Sequence, residues 1–134
     1  MVTNFDYLKN ESKFSAFANV AISAEMIILA DPDASILNSR RAMEFAVKWL
    51  YSVENSLQIP YQDNLHTLMN TEEFRQLVGP DLWKRMDYIR RCGNSVAHSN
   101  KKPGRDAAML CLENLSIFLD YVAYCYGEQY QEHP

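Results

Sequence analysis

No uncharged apolar run of roughly eighteen residues, the length that reads as a membrane span, occurs in this 134-residue sequence. Its opening, MVTNFDYLKNESKF, has neither a basic n-region nor an apolar h-region. The expectation is therefore a soluble chain that neither spans nor crosses a membrane. The three cysteines, Cys92, Cys111 and Cys125, are an odd number at no metal-ligand spacing, with Cys111 and Cys125 inside a helical apolar pattern, which suits a reducing cytoplasm. His66 and His133 lack companion ligands, so no metal site is expected. The sequence has no GxxxxGK[ST], GxGxxG or GxSxG string, which leaves nucleotide hydrolysis and serine chemistry without support. It also lacks long apolar/polar alternation, internal repeats and compositionally simple segments.

What is present is ordinary globular composition, 48% hydrophobic and 22% charged, in a length that suits one domain over residues 1–134. Apolar residues recur at helical steps. A first helix is expected from about Ser12, burying Phe14, Phe17, Ala18, Ala21, Ile22, Ile28 and Leu29 and stopping before Pro32. Asp33 or Ser35 is expected to cap a second, with Ile36, Leu37, Met43, Ala46, Val47, Leu50 and Tyr51 on its buried stripe. NSLQIPYQDN reads as a loop ending in a cap, Asp63 or Asn64, for a short helix through Leu68 and Met69. Another short helix follows Thr71 and stops at Gly79. The next starts at Pro80 and is expected to end near Cys92 and Gly93, with Gly93 a break or a close-contact point. A long final helix should run from Arg105 to Tyr130. The fold class is all-α: an antiparallel helical bundle of three long helices plus shorter ones. The chain ends in QEHP directly after a helix, which suggests a longer parent protein.

The net charge of −4 argues against wholesale phosphate binding, but its distribution is uneven. Lys84, Arg85, Arg90, Arg91, Lys101, Lys102 and Arg105 face a single acid, Asp87, so this stretch carries +6. It could touch nucleic acid or simply dock on the acidic remainder. Within it lies IRRCGNSVAHSN. If helix continues past Gly93, Asn94 and His98 share a face. A neutral imidazole can take a proton from a ribose 2′-hydroxyl while a guanidinium such as Arg91 stabilises the phosphorane charge, so this trio is a candidate metal-free RNase site. The alternative is a buried hydrogen-bonded clasp holding the last helix. Glu25 interrupts an apolar pattern, and a pair with Arg40 or Arg41 is its simplest account, though those arginines could also supply a second anion contact beside His98. Tyr121, Tyr124 and Tyr130 lie off the main stripe and are candidates for a protein interface.

The strings SRRAMEFAVKWLYS, LQIPYQDNLHTLM, FRQLVGPDLW and IRRCGNSVAHSN resemble a family of small helical domains found at the N-terminus of type I restriction enzyme R subunits and related DEAD/DEAH-box helicases. The resemblance spans about Phe5 to Tyr130, and AVKWLY and GNSVAH are its most specific parts. That family is usually grouped with the HEPN superfamily, whose ribonuclease members carry an Arg followed after four to six residues by His. Arg91 and His98 here are separated by six. The resemblance implies a HEPN-like accessory domain at the N-terminus of a longer R subunit, the parent being an ATP-dependent DNA translocase and endonuclease. ATP and Mg would serve only that parent, and no cofactor is expected in this domain. The implied partners are the other restriction-modification subunits, DNA or RNA, and a second copy of the chain, whose facing motif would complete an RNase site.

Overall fold

The structure, a computed structural model, describes residues 2–98 and 102–128. Two 3-10 turns, Asp6–Asn10 and Ser12–Phe14, lead into α1 (Ser15–Ile27). Five further helices follow: α2 (Pro32–Val53), α3 (Leu65–Met69), α4 (Glu72–Val78), α5 (Pro80–His98) and α6 (Arg105–Tyr126). Among the described residues there is no strand, and the all-α bundle expected from periodicity is what forms. Three helices are long, with α1 and the two short helices packed around them.

α2 sits at the centre, packed by α1, α5 and α6, and α6 also packs on α5. α1 and α2 run antiparallel: Phe17, early in α1, packs edge-on against Trp49 near the end of α2, and the buried Ser35 at the start of α2 donates its hydroxyl to the Ala24 carbonyl at 2.7 Å. Small residues at this contact, including Ala21, Ala24, Ser35, Ser39 and Ala42, are fully buried and let the two backbones approach closely. Phe14, Phe17, Trp49 and Tyr126 form an edge-to-face aromatic cluster at one end of the bundle, with centroid separations of 5.5–6.0 Å.

The starts and stops differ from expectation in instructive ways. α1 ends at Ile27, and a turn of 3-10-like bonds through Asp31 follows, so Leu29 is exposed rather than buried. The cap of α2 is Asp31, whose Oδ1 accepts from the Ala34 amide at 3.0 Å. Pro32 supplies N1, where its missing N–H is no loss, and this places the cap one residue before the proline rather than at Asp33 or Ser35. Leu37 likewise faces outward. Asn64 and Thr71 cap α3 and α4 through the amides of Thr67 and Phe74. Gly79, at φ 82°, ends α4 in a conformation that L side chains rarely adopt.

The two short helices are too short to hold themselves, and side chains from the long ones fix them. The Tyr51 hydroxyl donates to the Leu68 carbonyl at 2.6 Å and lies 2.7 Å from the Thr71 hydroxyl, while its ring stacks on Phe74. The Trp83 indole N–H reaches the Met69 carbonyl at 2.6 Å, and Arg75 covers that ring at 4.0 Å.

α6 is long and apolar enough to cross a membrane by length and composition. Its residues Ala108, Cys111, Leu115, Phe118, Leu119 and Val122 are fully buried as its core face, while Met109, Leu110 and Ile117 on its other side are exposed. The helix ends at Tyr126, earlier than expected, and Gly127 closes it against the Ala123 carbonyl. Glu11 then accepts the Glu128 amide at 2.9 Å, tying this end back to the N-terminal turns. Tyr130 lies outside the described residues.

Candidate functional site

α5 does not end at Gly93 but continues to His98. Glycine inside a helix costs roughly 1 kcal/mol relative to alanine, and here the reason for it is contact. A Cβ at position 93 would stand 2.4 Å from Cδ of Arg40 and 3.2–3.3 Å from its Cβ and Cγ. The Arg40 stem therefore crosses α5 at the one residue without a side chain, immediately before Asn94. The Arg40 Nε is buried with no hydrogen-bond partner. Glu25 is not its counter-ion: the Glu25 carboxylate accepts from the Asn4 amide at 3.0 Å, and Arg41 lies over the Phe45 ring.

Because the helix is continuous, Asp87, Arg91, Asn94 and His98 fall on one stripe by the 3.6-residue repeat. Met86, Ile89, Cys92, Gly93 and Val96 occupy the opposite, buried face. Lys84 extends the outer stripe toward the N-terminus. His98 is exposed, and neither its side chain nor that of Asn94 hydrogen-bonds to a described residue. His98 is therefore not buried, as the clasp considered from the sequence would have it, and Asn94 is half-buried.

Asp87 organises that face. Its Oδ1 accepts from Nε of Arg90 at 2.9 Å and lies 2.8 Å from Nη2 of the same side chain, and its Oδ2 is ion-paired with Nε of Arg91 at 3.1 Å. Arg91 is 66% exposed, yet Asp87 draws its guanidinium toward the N-terminus of α5. His98 stands seven residues further on, about 10 Å along the axis. The Arg91 guanidinium is thus ion-paired to an acid one turn before it on α5. Asp87 is the residue that sequence reasoning undervalued, counted there only as the lone acid of a basic stretch.

The other cations of that stretch disperse. Arg85 donates to Asn114 of α6 at 3.0 Å. The Lys102 ammonium bonds the Val96 carbonyl and so satisfies an end group of α5. Arg105 lines a groove between α1 and α6, away from the α5 stripe, and Lys101 lies outside the described residues. Arg91 and Lys102 do meet at one concavity of about 480 Å³, with Tyr88, Cys92, Ser95, Pro103 and Ala107. Burial raises the Tyr88 hydroxyl and, foremost, the Cys111 thiol above their ordinary pKa values, so neither is an anion near neutral pH. Among the described residues no three His, Cys, Asp or Glu side chains are grouped as a metal site would require. The cysteines are unpaired, with Cys92 and Cys111 buried and Cys125 exposed, contrary to its expected place in the apolar pattern.

One concavity was not foreseen from the sequence. It measures about 580 Å³ and runs between the end of α1 and the outer side of α6, lined by Ile28, Leu29, Met109, Leu110, Leu112 and Ile117, with Glu25, Arg105 and Glu113 among its polar residues. The available signal was Met109, Leu110 and Ile117 lying off the core stripe of the last helix. Of the interface tyrosines, Tyr124 is exposed, while Tyr121 is half-buried and donates to the Leu77 carbonyl at 3.2 Å.

The described residues form an all-helical bundle with a polar stripe on α5 and an apolar groove beside α6. Residues 23–132 match the family described as Domain of unknown function (DUF4145), and the chain belongs to that family. No curated protein and no solved structure matches it.

Proposed function

We propose that this domain is a noncatalytic interaction module of a larger DNA-processing enzyme, as the N-terminal accessory domain of a type I restriction R subunit would be. The observation that carries this reading is the ion pair that engages the Arg91 guanidinium with Asp87 at 3.1 Å. A guanidinium engaged by a carboxylate is less available to stabilise the charge of a phosphorane. The large apolar groove, which holds no catalytic constellation, supports docking as the use of the surface. The parent would supply ATP-dependent translocation and DNA cleavage in the cytoplasm, with modification and specificity subunits as its partners.

A second reading is a HEPN-like, metal-independent ribonuclease using Arg91, Asn94 and His98. It is favoured by one observation: Arg91 and His98 are both exposed on the same outer stripe, where a second copy could bring an imidazole to a guanidinium. A nucleic-acid contact without cleavage would use the same face, through Arg91 and Lys102 at their shared concavity.

The test is cleavage of end-labelled single-stranded RNA by the purified chain in chelator, beside a folded His98→Ala control. The docking reading expects no cleavage by either protein. Cleavage by the wild type that the control loses would overturn it in favour of the nuclease. Binding without cleavage, steeply weakened by salt, would place nucleic acid among the docked partners.

A further inference from the structure

α2 meets α5 where the Arg40 stem packs on Gly93, and the neighbours of Arg40 along α2 are of two kinds. On one flank stand Ile36, Ser39 and Met43, all fully buried, and on the other the exposed Leu37 and Arg41 and the half-buried Glu44. α5 divides at Gly93 in the same way. Ile89 and Val96 are buried toward the core, whereas Arg90, Asn94 and Ala97 on the outer side are half-buried or exposed. Arg40 is itself half-buried, so the guanidinium beyond its stem meets solvent along this outer flank.

The charge of that guanidinium is uncompensated. Its Nε is enclosed and has no hydrogen-bond partner among the described residues, which leaves the cation only partly solvated. The acids on this side are engaged by other cations: Glu44 pairs with Lys48 at 3.1 Å, and Asp87 pairs with Arg90 and Arg91. Five cations, Arg40, Arg41, Lys48, Arg90 and Arg91, against those two acids leave the flank at +3 on a chain whose net charge is −4. We infer that Arg40 and Asn94 form an anion site beside the α2–α5 contact that takes a phosphate group. The two Nη atoms of Arg40 present a fixed fork to two phosphate oxygens. Asn94 directly follows Gly93, and its side chain, which has no hydrogen bond to a described residue, adds an amide donor. This site is distinct from the concavity that Arg91 shares with Lys102, Cys92 and Ala107 on the α6 side of α5. It goes beyond the docking reading, since it stands whether or not the groove beside α6 is filled.

The experiment uses the full chain and a variant that keeps the packing but removes the fork. Arg40→Met retains an unbranched stem over Gly93, and its circular dichroism spectrum checks that it folds. Should it not fold, Arg40→Lys, which keeps a charge and loses the fork, replaces it with the same expectation. Thermal melts in sodium phosphate and in sodium chloride of equal ionic strength should show the wild type melting higher in phosphate and Arg40→Met melting alike in both. A fluorescein-labelled single-stranded RNA, read by anisotropy, then decides the source of the phosphate. RNA binding that Arg40→Met weakens at least about tenfold, and Arg41→Met less than about threefold, assigns the site to a nucleic-acid backbone. Arg41 is the control because it carries the same charge but lies over the Phe45 ring. Phosphate stabilisation that Arg40→Met loses, with no RNA binding, assigns the site to a small phosphate-bearing ligand. Asn94→Ala should weaken whichever response the wild type gives. Neither phosphate stabilisation nor RNA binding in the wild type would overturn the inference. So would Arg40→Met keeping every wild-type response, or Arg41→Met losing it equally.

Discussion

Replacing Gly93 with alanine sets two effects of similar size against each other. Alanine gains roughly 1 kcal/mol of helix propensity over glycine in a helix interior. The new methyl would stand 2.4 Å from Arg40 Cδ, with Cβ and Cγ of the same side chain also within 3.3 Å. Three consecutive carbons of one stem are blocked, so a rotation at the tip does not relieve the clash, and the stem must be expelled or α2 and α5 must part. Overpacking of this kind costs about 1–3 kcal/mol. The net expectation is a loss of about 1 kcal/mol, or roughly 4 °C in Tm for a domain of this size. The sign should reverse in an Arg40→Ala background, where the methyl meets an emptied channel and only the propensity gain of about 1 kcal/mol remains. Urea unfolding of the four proteins of this double-mutant cycle should therefore give a coupling energy of about 2 kcal/mol. If Gly93→Ala stabilises both backgrounds equally, contact with Arg40 is not why glycine stands there.

Further outcomes follow from other contacts. Tyr51→Phe removes a hydroxyl that holds both the Leu68 carbonyl and Thr71, and should cost about 1–2 kcal/mol in urea unfolding; a loss below about 0.5 kcal/mol would detach it from the short helices. Asp87→Asn weakens the hold on Arg90 and Arg91 and should leave stability within about 1 kcal/mol. If the α5 face contacts phosphates, the same variant should raise affinity for single-stranded RNA and steepen its salt dependence by about 0.7 per added contact, and unchanged binding would remove that face from nucleic-acid recognition. Burial raises the hydroxyls of Tyr51 and Tyr126, and that of Tyr121 to about 12. Unfolded tyrosines ionise near pH ~10 while these stay protonated in the native state, so their contribution is complete below that pH and is lost as pH rises through the folded values. Urea midpoints should fall on going from neutral pH to about 11, and Tyr121→Phe should flatten that fall. A midpoint indifferent to alkaline pH would contradict the burial of these hydroxyls.

Helix content was legible in the sequence because each long helix buries one side, and a 3.6-residue repeat of apolar residues can mean little else. The buried Ile36, Met43, Ala46, Val47 and Leu50 of α2 were read directly from it, as was the stop at Gly79, while the cap of α3 stayed open between Asp63 and Asn64. These are local matters of periodicity, backbone amides and φ, settled within a few residues of chain. Leu29 and Leu37 were misplaced because hydrophobicity says that a residue can be buried, not that a neighbour arrives to bury it.

The candidate site divides in the same way. The sequence located Arg91, Asn94 and His98 and stated that a continuous helix would align Asn94 with His98. Whether it was continuous depended on Gly93, and a glycine within a helical pattern reads equally as a break or as a close approach. Only the arrival of the Arg40 stem from α2 decides between them. Tertiary structure likewise decided that Glu25 serves the Asn4 amide rather than an arginine, and that Arg85 and Arg105 leave the α5 face. It also created the concavity between the end of α1 and α6, whose walls come from segments some eighty residues apart, as Leu29 and Met109 are. Periodicity fixes which side of a helix is apolar, whereas a surface shared by several helices exists only once packing has brought their flanks together.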